Sequence, residues 1–286
     1  MDGLIEKANT LIEALPYIRT FFGRTFVIKY GGHAMVNEEL KKSVILDIIL
    51  LKYVGVNPVL VHGGGPAVSH WMGRLGKEPT FVDGLRVTDE ETMEIAEMVL
   101  AGKVNKEIVS LIGKYGAKAV GISGKDGNTI IARKLTSQGR DLGQVGEVEK
   151  INPQLVTTLS QEGYIPVISS IGVGYGGESY NINADWVAAE MAIALQAAKL
   201  ILLTDVEGIY EQPEDPATLI SALQVDRARK LIAEGKISRG MIPKVEGCIK
   251  GLENGVERTH IIDGRTKHSM LLEIFTDKGI GTMVVA

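Results

Sequence analysis

Two lysines and a set of glycine-rich turns carry the chemistry open to this sequence. Lys29 lies near the end of the β-branched run Thr25-Phe26-Val27-Ile28-Lys29-Tyr30, which Gly31-Gly32 closes. A second run, Asn57-Pro58-Val59-Leu60-Val61-His62, is closed by Gly63-Gly64-Gly65. Ligands of open α/β sheets bind beyond the carboxyl ends of the strands. Glycine turns there expose N–H groups, and with helix N-termini behind them they form an anion site. One glycine pair alone would be a tight turn; two such loops, one with a lysine on its strand, favour phosphate binding. Lys244 follows Pro243 at a helix start, where a cation opposes the helix dipole unless an anion is present. Arg86, in Asp83-Gly84-Leu85-Arg86-Val87-Thr88, has a planar fork that could hold a carboxylate, although a lone arginine near a turn is more often a surface ion-pair member. Asn181, Asn183 and Asp185 alternate ahead of an apolar helix. Capping accounts for one of them, Asn183, and not for all three.

Other chemistries are excluded by what is missing. There is no G-x-x-x-x-G-K-[ST], no H-E-x-x-H and no EF-hand loop. Gly172-Val173-Gly174-Tyr175-Gly176-Gly177 matches G-x-G-x-x-G, but residues 178–183 intervene before any helix, so a flexible glycine loop fits better than a dinucleotide fingerprint. His62-Gly63-Gly64-Gly65 is lipase-like, yet no G-x-S-x-G elbow accompanies it. No motif gives His62 a carboxylate partner, so it reads as a loop hydrogen-bonder and not a base. Cys248 reads as a buried small hydrophobe with no catalytic role.

The elements that must position these residues alternate between short strands and longer helices, the pattern of βαβ units and a mainly parallel sheet. Helices are expected over 37–54, 66–75, from Thr88 onward, 184–197, 225–234 and 241–254. Thr88-Asp89-Glu90-Glu91 reads as a capping box, and Asn152-Pro153 as a cap followed by proline at the first helical position. Strands are expected at 117–122, 128–133, 146–151, 165–168, 200–203, 259–262 and 282–285, with a loop over 210–216. Leu4, Ile5, Ala8, Leu11, Ile12 and Leu15 make an amphipathic N-terminal helix, interrupted at Pro16. Its apolar face must lie on its own sheet or on a neighbouring subunit, and the pattern does not choose between them. No linker divides the chain, so two lobes sharing one continuous sheet are expected.

The chain has 286 residues, with 45% hydrophobic and 23% charged, enough to bury a sizeable core. Its net charge of −4 argues against nucleic-acid binding through bulk positive charge. A single cysteine excludes a disulfide framework and fits a reducing compartment. Charged residues break every long apolar stretch, so no membrane span is expected, and the acidic N-terminus does not read as a cleaved signal.

Lys29-Tyr30-Gly31-Gly32, His62-Gly63-Gly64-Gly65-Pro66, Gly84-Leu85-Arg86-Val87-Thr88, Asn181-Ile182-Asn183-Ala184-Asp185, Thr204-Asp205-Val206-Glu207-Gly208 and Gly240-Met241-Ile242-Pro243-Lys244 follow one another in this order. Together they resemble the amino-acid kinase family, in its branch that acts on acetylated glutamate. The N-terminal helix, Leu271-Leu272-Glu273-Ile274-Phe275 and Gly279-Ile280-Gly281-Thr282 further resemble the arginine-inhibited, hexameric members. The resemblance implies a three-layer αβα sandwich with a mainly parallel central sheet, preceded by the N-terminal helix. Residues 1–24 would serve oligomerisation and regulation, 25–196 would be an N-lobe for N-acetyl-L-glutamate, and 197–286 a C-lobe for MgATP. Gly64, Gly65, Arg86, Asn181 and Asn183 would hold the acid. Lys29 and Lys244 would sit on the moving phosphoryl group, with Asp185 orienting both. Gly31, Gly32, Thr204, Asp205, Val206, Glu207, Gly208, Ile209, Gly240 and Met241, with the stretch 236–241, would hold the nucleotide. The metal, Mg²⁺, would come with ATP and take no ligand from protein side chains.

The same resemblance places an L-arginine site at Tyr17, Lys199, His268, Glu273, Gly279 and Gly281, with Glu273 meeting the guanidinium; the plain alternative is a solvent-facing glutamate. Some relatives bind the signal protein PII, for which Arg227, Arg229 and Lys230 would serve, although a solvated helix face is favoured. A cytoplasmic enzyme of arginine biosynthesis, a trimer of dimers with neither nucleic-acid nor membrane partners, is the expectation. Its rivals are a kinase of the same fold acting on aspartate, glutamate, carbamate, a nucleoside monophosphate or carrier-bound aminoadipate, and a non-catalytic sensor of nucleotide or arginine.

Overall fold

The computed structural model describes residues 2–136, 141–212, 214–238, 240–276 and 279–286. Two helices, α1 (Asp2–Glu13) and α2 (Leu15–Phe21), open the chain, and Pro16 lies in the first turn of the second. Strand β1 (Thr25–Tyr30), helix α3 (Glu38–Tyr53), strand β2 (Asn57–His62) and helix α4 (Gly65–Arg74) follow. A hairpin of β3 (Phe81–Val82) and β4 (Leu85–Arg86) leads into α5 (Glu90–Glu97), a π-helical segment Met98–Val104 and α6 (Asn105–Lys114). Next come β5 (Ala119–Ile122), β6 (Ile130–Lys134), β7 (Val145–Ile151), α7 (Gln154–Gln161), β8 (Ile165–Ser169), β9 (Ile171–Val173), β10 (Ser179–Ile182) and α8 (Ala184–Ala194). The chain ends with β11 (Lys199–Thr204), β12 (Ala222–Gln224), α9 (Val225–Ala233), α10 (Ile242–Glu253), β13 (Arg258–Asp263), α11 (Ser269–Ile274) and β14 (Thr282–Val285).

Eight strands form the central sheet in the order β12-β14-β13-β11-β1-β2-β8-β5. From β13 to β5 every neighbour is parallel; β14 runs antiparallel to β13. Alternate side chains of the buried strands enter two separate cores. Phe26, Ile28, Tyr30, Leu60, Ile201 and Ile262 pack with Ile45 and Ile48 of α3 and Ile112 of α6. Val27, Val59, Val61, Leu200, Leu202 and Ile261 pack with Val187 and Met191 of α8 and Val245 and Cys248 of α10. The strands are therefore apolar on both faces, the sequence mark of a sheet covered by helices on each side. This is the three-layer αβα arrangement with a mainly parallel sheet.

Several local expectations need correcting. The cap of α5 is Asp89, whose carboxylate accepts from the N–H of Thr92 at 2.9 Å, and not Thr88. Thr88 is fully buried and bridges to Gly143, so its hydroxyl turns to Arg86 O instead. Asn152 does not cap α7; its amide donates to Asn128 O at 2.6 Å, and Pro153 occupies the cap position. The helix expected over 184–197 stops at Ala194, and Gln196 turns the chain with φ 47°. Within the expected loop, Tyr210 bridges to Leu219; Pro213 lies outside the described residues. The pattern also did not anticipate a closed ring of β10-β7-β6-β9 beside the main sheet, the β3–β4 hairpin, β12 or α11.

Candidate active site

Three elements of different origin deliver one charged cluster. Lys29 leaves β1 toward the α8 and α10 side of the sheet. Asp185 lies in the first turn of α8, where Asn183 caps the helix by accepting from Asp185 N–H at 2.8 Å. Lys244 lies in the first turn of α10, with Pro243 just before it. Lys29 Nζ is 3.1 Å from Asp185 Oδ1 and Lys244 Nζ is 3.0 Å from Oδ2, so each ammonium has its own oxygen. Asp185 is 4% exposed. Burial pushes its carboxyl upward, but the two adjacent ammoniums outweigh that and hold it below the usual carboxylate range. Two cations against one anion leave one unbalanced positive charge, which suits an incoming anion. Gly31 keeps the lysine's path open, since a Cβ there would sit 2.7 Å from Lys29 Nζ. Gly32, at φ +70°, lets the Asp205 carboxylate lie where a side chain would be, bringing the β1 loop against the β11 loop.

Arg86 rides the β3–β4 hairpin and is 7% exposed. Its guanidinium donates to Gly65 O at 2.9 Å, Ser69 Oγ at 2.7 Å and Met72 Sδ at 3.1 Å, and stacks on Phe81 at 4.7 Å. Gly65, Ser69 and Met72 lie on one face of α4, and all the described partners of Arg86 are neutral. Burial depresses its pKa, as expected of a cation lacking a counter-ion. Asn181 Nδ2 donates to Thr88 Oγ1 at 3.2 Å, joining β10 to the strand end that carries Arg86. His62 is fully buried and held down to about 4, chiefly by that burial. It bonds Gly63 O and Asn105, and neither is a carboxylate. Asn105 and Ser69 were not singled out in the sequence; an asparagine at a helix start is ordinarily a cap.

The remaining glycine and acidic residues gather at the ends of β11 and β13. Thr204 ends β11, Asp205, Val206, Glu207 and Gly208 form the following bend, and Ile209 N–H donates to Thr282 Oγ1 at 2.8 Å. Gly208 packs so closely that a Cβ would fall 2.5 Å from the same hydroxyl. Asp263-Gly264-Arg265, unmarked in the sequence, completes this rim: Gly264 N–H donates to Thr204 O at 2.8 Å and Arg265 folds onto Asp263. Gly240 and Met241 form the turn before α10, and Lys244 Nζ reaches Gly240 O at 3.4 Å. Arg239, within the expected stretch 236–241, lies outside the described residues. Among the described residues, no group of three or more His, Cys, Asp or Glu side chains could hold a metal.

A cavity of about 880 Å³ lies elsewhere, between α2 and the C-terminal segment. Tyr17, Lys199, Glu273, Gly279 and Gly281 line it. His268, grouped with them above, does not. Its ring bonds Asp47 at 2.6 Å and its N–H bonds Ser43, fixing it to α3. Glu273 is not solvent-facing either, with its side chain 5% exposed. Its Oε1 accepts from His260 Nδ1 at 2.7 Å and its Oε2 from the N–H groups of Ile280 and Gly281. Lys199 Nζ donates to His260 Nε2 at 3.0 Å, so a buried relay runs Lys199–His260–Glu273. The sequence reading missed His260; a histidine inside the apolar run Thr259-His260-Ile261-Ile262 was the available signal. Arg227 pairs with Glu211 and Arg229 with Glu253, as a solvated helix face would.

With this geometry the chain can be compared with known proteins. The model of the amino acid kinase family matches residues 24–263, and the chain belongs to that family. It is 61% identical to the acetylglutamate kinase of Moorella thermoacetica, over 98% of each chain. It is 60% identical to that of Heliobacterium modesticaldum, again over 98% of both. Among solved structures, N-acetylglutamate synthase from Neisseria gonorrhoeae, complexed with coenzyme A and N-acetyl-glutamate, has a TM-score of 0.86 and 30% identity, covering 98% of this chain and 63% of that one. Carbamate kinase from Giardia lamblia shares the fold, with a TM-score of 0.65 and 17% identity over 92% of this chain and 98% of that one.

Proposed function

We propose that the chain is an ATP-dependent kinase of arginine biosynthesis. It moves the γ-phosphoryl group of ATP to the side-chain carboxylate of N-acetyl-L-glutamate, giving N-acetyl-L-glutamyl 5-phosphate and ADP. The observation that carries the reading is the convergence of Lys29 and Lys244 on the two oxygens of Asp185. The acceptor carboxylate is ionised at neutral pH, so its attack needs no general base; buried, neutral His62 is not asked to be one. The obstacle is bringing one anion against another, and phosphoryl transfer is mainly positioning and charge stabilisation. Lys29 and Lys244 meet the charge on the transferring group, and Asp185 keeps both aimed. Arg86 takes a carboxylate of the acid while Gly64, Gly65, Asn181 and Asn183 hold the rest of it. Gly31, Gly32, Thr204 to Ile209, Gly240 and Met241 hold the nucleotide. Mg²⁺ would enter on the nucleotide, since hard cations bound to phosphates need few protein ligands, and it would neutralise charge on the phosphate oxygens.

The lobes are assigned as 25–196 for the acid and 197–286 for ATP. The strand order supports this: β11 to β14 occupy one half of the sheet and β1, β2, β5 and β8 the other. Among the described residues no helix is long and apolar enough to cross a membrane; the placement proposed is cytoplasmic. Regulation by L-arginine in the cavity beside α2 is supported by a lining that suits an amino acid: Tyr17, Phe21 and Phe275 with Glu13, Glu257 and Glu273 for a guanidinium, and Arg24, Lys199 and Arg258 for a carboxylate. A further solved N-acetylglutamate synthase, 28% identical, is complexed with L-arginine. A hexamer is proposed with it, whereas the ion pairs at Arg227 and Arg229 do not favour a PII site.

The test is to supply MgATP with a panel of acids, trapping acyl phosphate with hydroxylamine, with and without arginine. Hydroxamate from N-acetyl-L-glutamate alone is expected. Product from aspartate, glutamate or carbamate instead would overturn the substrate, and ATP binding with no product from any acid would favour a sensor.

A further inference from the structure

We propose that Asn105, acting through His62, turns the N–H of Gly64 away from the ring and leaves it free for the bound acid, so that the two side chains are positioning residues for the glycine loop. The inference rests on the reading above, in which that loop holds the anionic acid.

Asn105 is the first residue of α6, directly after the π segment, and is fully buried. Its Nδ2 lies 2.9 Å from Val167 O, 3.3 Å from Ile122 O and 3.1 Å from His62 Nε2. Backbone carbonyls only accept, so the amide nitrogen and not the oxygen must face them. Lys106 Nζ donates to Asn105 Oδ1 at 3.0 Å, which fixes the same orientation. The amide has two protons: one goes to Val167 O and the other to His62 Nε2, the 3.3 Å approach to Ile122 O being the weakest of the three, so Nε2 is assigned as the unprotonated nitrogen. The ring proton sits on Nδ1 and is donated to Gly63 O at 2.8 Å. Gly63 N–H is held in turn by Tyr30 O at 3.1 Å. Among the described residues no peptide bond is cis. In a planar trans peptide the carbonyl and the following N–H point in opposite directions. Drawing Gly63 O back onto the imidazole therefore turns Gly64 N–H the other way, and no described residue accepts from it. The other tautomer would set the Nδ1 lone pair against Gly63 O and favour a flipped peptide, with a carbonyl oxygen facing the anion.

The π segment supports the same loop from behind. A Cβ on Gly64 would come 2.6 Å from Leu100 Cδ2 and 3.4 Å from Val104 Cγ2. A wide π turn ahead of a functional side chain is a recurring use of that geometry. Here the segment both backs Gly64 and delivers Asn105 beneath His62.

His62→Asn and His62→Gln separate this role from packing. The asparagine amide falls near the place of Nδ1 and can still donate to Gly63 O. The glutamine amide reaches the place of Nε2, keeping Asn105 and losing Gly63. His62→Gln is expected to lower kcat about 100-fold, as loss of one aimed N–H does, and His62→Asn to stay within about tenfold of the parent. Packing alone ranks them in reverse, because asparagine leaves the larger void. His62→Asn as impaired as His62→Gln, or more so, overturns the proposal. A long-range ¹H–¹⁵N spectrum of the unsubstituted protein at pH 7 reads the ring without any assay. Nδ1 protonated and Nε2 bare is expected, and a proton on Nε2 overturns the proposal even if both variants fail to fold. An unsubstituted protein inert toward N-acetyl-L-glutamate would sink the functional reading, and the spectrum would still decide the tautomer.

Discussion

Asp185 shows how a buried charge can be stable and useful together. A lone carboxylate at 4% exposure would protonate, but two ammoniums keep it ionised, and in the proposed reaction it holds them where the anions meet. Removing either ammonium should remove stabilisation that matters most as charge moves between the anions. Lys29→Met or Lys244→Met is expected to cost roughly 3–4 kcal/mol in kcat, by comparison with one oxyanion-hole donor, with much smaller changes in either KM. Near-normal turnover in either variant would show that its amine does not touch the transferring group. These residues are legible because each sits at the edge of a recognisable element. Lys199 is different, since its partner His260 lies 61 residues away and the contact exists only through β11–β13 pairing. Burial, with Arg258 adding, depresses Lys199 from 10.5 to about 8. Between those values the unfolded chain holds a proton that the folded chain lacks, so stability rises with pH through this window and the full cost applies below it. Lys199→Met should hold or raise Tm at pH 7 and flatten the rise between pH 8 and about 10. A fall of more than roughly 3 °C at pH 7, about 1 kcal/mol, would mean that the contacts to His260 and the Phe21 ring outweigh the burial cost.

Among the elements, those buried on both faces were the easiest to recognise. β1, β2, β8, β11 and β13 read directly as short apolar runs because helices cover the sheet on each side. β3, β4, β9, β10 and β12 have two to four residues each and are held by pairing with distant segments, such as Asn181 opposite Val145, so no local pattern announces them. The misplaced cap at Thr88 has the same origin: a bridge to Gly143 outweighed its local propensity. Local propensity still acts where packing permits it. Gly247 lies inside α10, where it faces α8, and a Cβ there would meet Ala189 Cβ at an ordinary 3.5 Å. Gly247→Ala should therefore stabilise by about 0.5–1 kcal/mol, by restricting the unfolded chain and favouring the helix. Urea unfolding would read this as a raised midpoint with unchanged slope. A lowered midpoint would mean that the α8–α10 contact has less room than the geometry gives.

At the scale of the whole molecule, the N-terminal pair of helices is divided in its attachments. α2 is tied to the body: Tyr17 meets Phe275 edge to face at 6.3 Å and Phe21 meets Phe26 at 5.2 Å. α1 is not. Leu4, Ile5, Leu11 and Ile12 remain 67%, 52%, 73% and 66% exposed, although their spacing makes one apolar stripe. The sequence left open whether that stripe lies on its own sheet or on a neighbour; this exposure favours the neighbour, because monomers rarely present such a patch to water. Deleting residues 1–20 should therefore reduce the oligomer seen by light scattering. It should also abolish the proposed inhibition by arginine, for a separate reason: Pro16, Tyr17 and Thr20 line the same cavity as Glu273. The two readouts come apart usefully. Inhibition lost from an intact hexamer would assign α2 to the effector and leave α1 without an assembly role. A smaller oligomer still inhibited would do the reverse, and a truncated chain both hexameric and inhibitable would remove regulation and assembly from this end of the molecule together.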